Sequence, residues 1–394
     1  MMAIVDRLND PGTDPIFGIQ TEYRQDLRDF KVDLTVGVYV PDEGGKPPIM
    51  STLKKAEKML IEEETTKAYL SISGDREFLE ATAKLIFNDA DQSRMAMVQT
   101  VGGTSALHLG FEFLRKNGYK TASISDPTWD NHNQILSDLD YQIVTYPHQQ
   151  AVEDFSILVK HLHELPEKTV VLLQSKSHNP TGIDFTKAQW EQISSILKAR
   201  DLFPFIDSAY QGFSQSLEED AHVIGFFLDQ GHDLFVAHSF SKSFAIYNER
   251  VGAFYAVIKD PKQVGLLQRN LNRLVRVNYS NPPAHGALAI RNILKDPHLK
   301  ALWENELEGY RNRINGIREK FSTALAPIFG EKFSASIKNG YGFFCQIPFT
   351  VEQVSRLKKE FGVYLTNSGR VSLPGLNSKS FDYVMDCIRK VKEG

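Results

Sequence analysis

The sequence predicts an α/β fold, a mostly parallel sheet between helices, joined to a smaller α+β unit. Three observations support this. Short apolar runs alternate with longer helix-like stretches between residues 100 and 260. The runs are almost continuously apolar, as strands buried on both faces must be. The C-terminal part is built differently, from amphipathic helices and short apolar stretches.

In chain order, "ASIS" (122–125), "VVLLQ" (170–174), "FPFI" (203–206) and "LFVAH" (234–238) read as buried strands. "TKAQWEQISSILKAR" (186–200), with apolar positions three and four apart, reads as a helix. A long helix over 300–325 leads to the second unit. There "FGEKFSASIKNGYGFFCQIP" (329–348) suggests a hairpin, and "TVEQVSRLKKEF" and "SFDYVMDCIRKV" read as amphipathic helices.

With 394 residues the chain exceeds one ordinary core, and 42% hydrophobic residues suffice for a packed enzyme. A net charge of −4 without a basic stripe argues against nucleic-acid binding. No apolar run approaches the roughly 20 residues of a membrane span. "MMAIVDRLND" lacks the apolar core of a signal peptide. Cys345 and Cys387 have no metal-ligand spacing, so no metal site is expected and two reduced thiols in a cytoplasmic protein are the simplest reading.

The residues after each strand carry chemistry. Trp129 and His132 follow the first run, Asn179 the second, Asp207 and Tyr210 the third, and Lys242 the fourth. Open parallel sheets bind ligands at the carboxyl ends of their strands, so these groups would converge on one rim. Each alone has a plain structural reading as a cap, a turn or a solvated lysine; four such endings in register do not. "TVGGTSALHLGFEFL" (100–114) starts a helix with Gly103 and Thr104, where free N–H groups suit an anion. Arg250, Ser239 and Ser241 add a guanidinium and two hydroxyls beside Lys242. A ligand with one phosphate, a Schiff-base lysine, a stacking indole and a carboxylate fits pyridoxal 5′-phosphate.

The chain resembles the aspartate and aromatic-amino-acid aminotransferases, pyridoxal-phosphate enzymes of fold type I. The likeness runs through "DPIFG" (14–18), "DLTVGVY" (33–39), "ETTKAYLSISG" (64–74), "GGTSAL", "WDNH", "HNPTG", "DSAYQGF", "SFSKSFAIYNERVG", "VNYSNPPAHG" and "FGVYLTNSGRV". It implies a seven-stranded sheet in a large cofactor domain (47–309), a small domain (14–46 with 310–394) and an N-terminal arm (1–13).

It also implies roles. Lys242 would carry the cofactor, and Asp207, backed by His132, would pair with the ring nitrogen. Tyr210 and Asn179 would bond the ring oxygen, and Trp129 would stack on the ring. Gly103, Thr104, Ser239 and Arg250 would hold the phosphate, joined by Tyr69 from a second subunit. Arg370, with Gly37 beside it, would bind the substrate α-carboxylate. Arg276, on its own surroundings a plain surface arginine, would reach across a homodimer to a distal carboxylate.

The resemblance thus implies ping-pong transamination of aspartate or aromatic amino acids with 2-oxoglutarate. Kynurenine transamination, β-decarboxylation and a ligand-sensing regulator are the rival readings, and the paired arginines favour dicarboxylates over the first two. Departures from the family pattern are Ala68, a longer loop after Tyr39, and Tyr341-Gly342 where a bulky apolar pair is usual. Gly342 has two readings: room in the substrate pocket, or relief of a strained hairpin.

Overall fold

The structure is a computed structural model describing residues 8, 12, 15–88 and 90–394. The expected arm, 1–13, lies outside the described residues apart from Leu8 and Gly12, as does Asp14 of the "DPIFG" stretch.

The strands are β1 (Val32–Asp33), β2 (Met95–Val101), β3 (Thr121–Asp126), β4 (Gln142–Pro147), β5 (Thr169–Gln174), β6 (Phe203–Ser208), β7 (Leu234–Ser239), β8 (Val251–Val257), β9 (Phe344–Gln346), β10 (Val363–Tyr364) and β11 (Arg370–Ser372). Seven of them form one sheet in the order β2-β8-β7-β6-β5-β3-β4. Only β8 runs against its neighbours. The four expected strands fall within β3, β5, β6 and β7.

Alternation along the strands feeds two buried layers. Val171, Leu173, Ile206, Val236 and Tyr255 face one. Val170, Leu172, Phe205, Phe235 and Phe254 face the other. With both faces covered, the near-continuous apolar runs are required. The chain places β4 on one side of β3 and then returns to build β5, β6 and β7 on the other. The order therefore reverses at β3 and β5, and their carboxyl ends lead to Trp129 and Asn179.

The expected helix at 186–200 spans Lys187–Ala199, opened by a capping box in which Thr186 accepts from the Gln189 N–H and the Gln189 side chain returns to the Thr186 N–H. The long helix is Pro297–Phe329. It starts at Asp296, whose carboxylate accepts from the His298 and Leu299 N–H groups, with Pro297 where a missing N–H costs nothing. Its far half packs into a third core with Val32, Leu34, Leu357, Val371 and Ile388.

The hairpin expected over 329–348 is not there. Glu331–Lys338 is a helix, and β9 pairs antiparallel with β11 rather than with its own upstream neighbour. Phe333 and Ile337 are four apart, a helical period, and Gly330 at φ +89° breaks the long helix ahead of them.

Trp303, on the long helix, is fully buried, stacks on Phe244 at 4.3 Å and donates from Nε1 to the Ser243 carbonyl at 2.8 Å. It thereby tethers the segment after Lys242. Trp303→Ala is expected to lower stability by about 3–5 kcal/mol. Trp303→Phe, which loses chiefly the hydrogen bond, should cost about 1 kcal/mol. Denaturant unfolding measures both, and equal losses would show that the packing of the ring contributes nothing beyond the hydrogen bond.

Candidate active site

A cleft of about 370 Å³ opens at the carboxyl edge of the sheet. Gly37, Gly103, Thr104, Trp129, Asn179, Asp207, Tyr210, Ser239, Lys242, Arg250 and Arg370 all line it. His132 stands behind, its Nε2 3.1 Å from Asp207 Oδ2 and its Nδ1 2.8 Å from Thr128 Oγ1. Trp129 meets the His132 ring edge-on at 5.3 Å. Strand endings in register bring these groups together.

Lys242 reaches into the cleft 5.1 Å from the centre of the Tyr210 ring. Burial pulls its pKa from 10.5 down to about 8; Asp207 opposes the shift, and Arg250 and Arg370 reinforce it. Part of the amine therefore stands unprotonated near neutral pH and can act as nucleophile or base. The Tyr210 phenol is pushed up, first by burial and with Arg370 opposing.

Arg370 is buried at the start of β11. Its Nη1 donates to Asn179 Oδ1 at 3.1 Å and its Nη2 to the Thr35 carbonyl at 2.6 Å. Its guanidinium carbon lies 4.3 Å from the Phe344 ring centre. No carboxylate among the described residues pairs with it. Each Nη keeps a second hydrogen, a planar pair that matches a carboxylate.

The phosphate-like corner is equally open to an anion. The helix Gly102–Lys116 has no side-chain cap at its N-terminus, so its first N–H groups await an acceptor. Gly102 has φ +74°, and a Cβ there would lie 2.5 Å from Arg250 Nη2; only glycine allows that approach. Arg250 Nη1 lies 3.4 Å from Ser241 Oγ, and Ser239 and Ser241 are hydrogen-bonded to each other.

Two expected site residues are absent from the cleft. Arg276 and Tyr69 line a separate surface hollow with Lys67 and Leu70. Arg276 Nη1 donates there to Ser280 Oγ at 2.5 Å, and Tyr69 is 92% exposed.

Gly342 does not line the cleft either. It has φ +76°, and a Cβ would fall 2.3 Å from Ser177 Cβ, so the spare-room reading fails and the glycine serves the backbone, in a turn rather than the expected hairpin. Tyr341 likewise points elsewhere, accepting from Gln215 Nε2 at 3.0 Å. The aromatic wall is Phe344.

Sequence reading missed Phe344, Thr35, Gln20 and Gln174. Gln174 Oε1 accepts from the Asn179 N–H and its Nε2 donates to the Asn179 carbonyl, fixing that loop. Its place as the one polar residue of "VVLLQ" was the available signal. Thr35 acts through a carbonyl, which no side-chain pattern reveals.

Residues 30–388 match the model of the family aminotransferase class I and II. The chain belongs to that family. This aminotransferase is 41% identical over 372 residues to the aspartate aminotransferase of Escherichia coli, covering 92% of this chain and 93% of that one. It is 37% identical over 380 residues to the aromatic-amino-acid aminotransferase of the same species, covering 94% and 96%. An aromatic-amino-acid aminotransferase from Burkholderia pseudomallei, covalently bound to pyridoxal phosphate, has a TM-score of 0.93 at 35% identity, covering 99% of this chain and 100% of that one. Among the described residues no group of His, Cys, Asp and Glu could hold a metal ion, and no helix is long and apolar enough to cross a membrane.

The charges around Lys242 set a measurable pH dependence. In cofactor-free protein, reaction of Lys242 with an amine-directed acylating reagent should be half-maximal near pH 8 rather than 10.5. Asp207→Asn removes an anion that favours the ammonium, so the midpoint falls. Arg370→Leu removes a cation that disfavours it, so the midpoint rises. Peptide mass spectrometry against pH reads all three; a wild-type midpoint near 10.5 would refute the electrostatic account.

Proposed function

We propose that this aminotransferase moves amino groups between aspartate or aromatic amino acids and 2-oxoglutarate in ping-pong fashion, as a homodimer with shared active sites. One observation carries the reading. An amine with its pKa drawn to about 8, a carboxylate backed by an imidazole, and a buried guanidinium with hydrogens to spare line one cleft.

Pyridoxal 5′-phosphate is the cofactor, and the residues present fit it. Gly103, Thr104, Ser239, Ser241 and Arg250 surround a position for its phosphate at an uncapped helix end. Asp207 offers a carboxylate to a ring nitrogen, Tyr210 and Asn179 offer donors to a ring oxygen, and Trp129 offers a flat face. When bound, the cofactor supplies an aldehyde for the amino group and a ring that accepts the electron pair at Cα.

The chain's own residues do the rest. Arg370 binds the α-carboxylate and so fixes which bond at Cα faces the cleft. Lys242 Nζ is placed to take the Cα proton and to return it on the far side of the amino nitrogen. His132 holds the Asp207 carboxylate in place beside the ring.

Arg276 and Tyr69 line one outer hollow, and Val277, next to Arg276 in the chain, is exposed. An exposed phenol and an exposed aliphatic side chain near a cationic group suit a subunit face that lends both residues to a neighbour. Arg276 would then meet a distal carboxylate, while Val36, Leu107 and Phe344 give the cleft apolar surface for a ring. Both donor classes follow from that pairing. The two free buried thiols accord with a cytoplasmic place of action.

Shared sites are tested by mixing two inactive chains. Lys242→Ala lacks the proton carrier, and Arg276→Asp repels aspartate. Heterodimers contain one site with neither change, so aspartate activity should reappear on mixing. No recovery in confirmed heterodimers would mean that Arg276 serves its own subunit.

The donor reading is tested by kcat/KM for aspartate, tyrosine and phenylalanine with 2-oxoglutarate. Arg276→Leu should lower aspartate by at least about tenfold, since losing a buried charge partner costs roughly 2–5 kcal/mol, and spare phenylalanine. Equal losses for all donors would remove Arg276 from specificity.

A further inference from the structure

Arg318, in the middle of the helix Pro297–Phe329, is only 2% exposed, and no carboxylate among the described residues pairs with it. Withdrawing a guanidinium from water costs several kcal/mol unless other groups replace the lost hydration. Four backbone carbonyls do so. Nη1 lies 3.3 Å from the Ile337 oxygen. Nη2 lies 2.8 Å from Tyr341, 2.8 Å from Gly342 and 2.9 Å from Phe344. Nη2 has two hydrogens for three carbonyls, so one is shared, and the turn 341–344 is wrapped around a single nitrogen.

That turn touches both supports of the cleft guanidinium. On one side the Tyr341 N–H donates to the Gly182 carbonyl at 2.7 Å, in the loop that carries Asn179. On the other the turn delivers Phe344, whose ring lies under Arg370. Asn179 holds an edge of Arg370 and Phe344 its face. The turn has other anchors, with the Phe343 carbonyl accepting from the Leu373 N–H at 2.8 Å and Phe344 opposite Ser372 in the β9–β11 ladder, but three of its four carbonyls converge on Arg318.

We propose that Arg318 is a positioning residue for the substrate carboxylate site, acting through the turn 341–344 on Phe344 and Asn179 and thereby on Arg370. The inference rests on the reading of Arg370 as the α-carboxylate group. Lysine cannot replace Arg318, because a compact ammonium on a shorter stem cannot meet four carbonyls spread around a planar fork.

The test uses holoenzyme and the probe 3-phenylpropionate, a carboxylate without an amino group, titrated through the absorbance of the bound cofactor. Arg318→Lys should raise the probe Kd roughly ten- to a hundredfold, the scale expected for a small misplacement of a binding group. KM for amino donors should rise more than kcat falls, and the cofactor absorbance without probe should stay as in wild type.

Ser322→Ala is the stability control. It removes a buried hydrogen bond of the same helix, to the Ser334 carbonyl at 2.8 Å, away from the turn. It should lower thermal stability and leave the probe Kd alone. Phe344→Leu should weaken the probe, and the double variant with Arg318→Lys should fall short of the sum of the two, because one of the two routes from Arg318 runs through that ring.

A wild-type Kd in Arg318→Lys would overturn the proposal, as would an equal Kd shift in Ser322→Ala or full additivity with Phe344→Leu. If Arg318→Lys fails to fold, an unchanged Kd in Phe344→Leu overturns it alone. A wild-type chain that transaminates no amino donor would instead sink the function reading, whatever Arg318 does.

Discussion

The cleft depends on keeping an amine partly uncharged while surrounding it with fixed charges. Lys242 would be an ordinary ammonium in water. Burial disfavours that form most, and the two guanidiniums of Arg250 and Arg370 push the same way against Asp207. The balance depends on where each neighbour is held. The large sheet ends β6 and β7 at one rim, which brings Asp207 there and leads into Lys242, while Arg370 comes from the start of β11 in the separate two-stranded sheet with β9.

Each buried charge is stabilised in its own way. Asp207 has an imidazole, His132, which is in turn held by Thr128. Arg370 has an amide, a carbonyl and an aromatic face, and keeps hydrogens for a ligand. Arg318 has carbonyls alone. Replacing such groups by apolar ones often stabilises a fold, so their presence points to geometry rather than stability as what they contribute. In Arg370 and Arg318 that geometry is shared through one turn and one ring, which couples the C-terminal core to the sheet that carries Lys242.

Arg276 and Tyr69 stand apart because their chemistry is incomplete in one chain. Among the described residues the Arg276 guanidinium bonds to Ser280, and the Tyr69 phenol is almost wholly exposed, so neither serves the cleft of its own subunit. In the homodimer proposed above, a second copy would give both a use.

The sequence by itself determined four of the seven strands of the large sheet and the ligand rim. Runs such as "VVLLQ" and "LFVAH" are apolar at every position or nearly so, which only burial on both faces explains, and polar residues directly after a strand can go nowhere but its carboxyl end. Lys242, Asp207, Trp129 and Asn179 were legible for that reason, and Arg370, Gly37, Tyr69 and Arg276 only through resemblance. Tertiary structure decided what local pattern could not carry. Residues 331–338 form a helix because Ile337 finds a core across the chain, and Gly342 is set by the Ser177 it meets, far away in sequence. Phe344, the Thr35 carbonyl and Arg318 join the site through contacts over tens to hundreds of residues, and no spacing along a chain records an approach made in space.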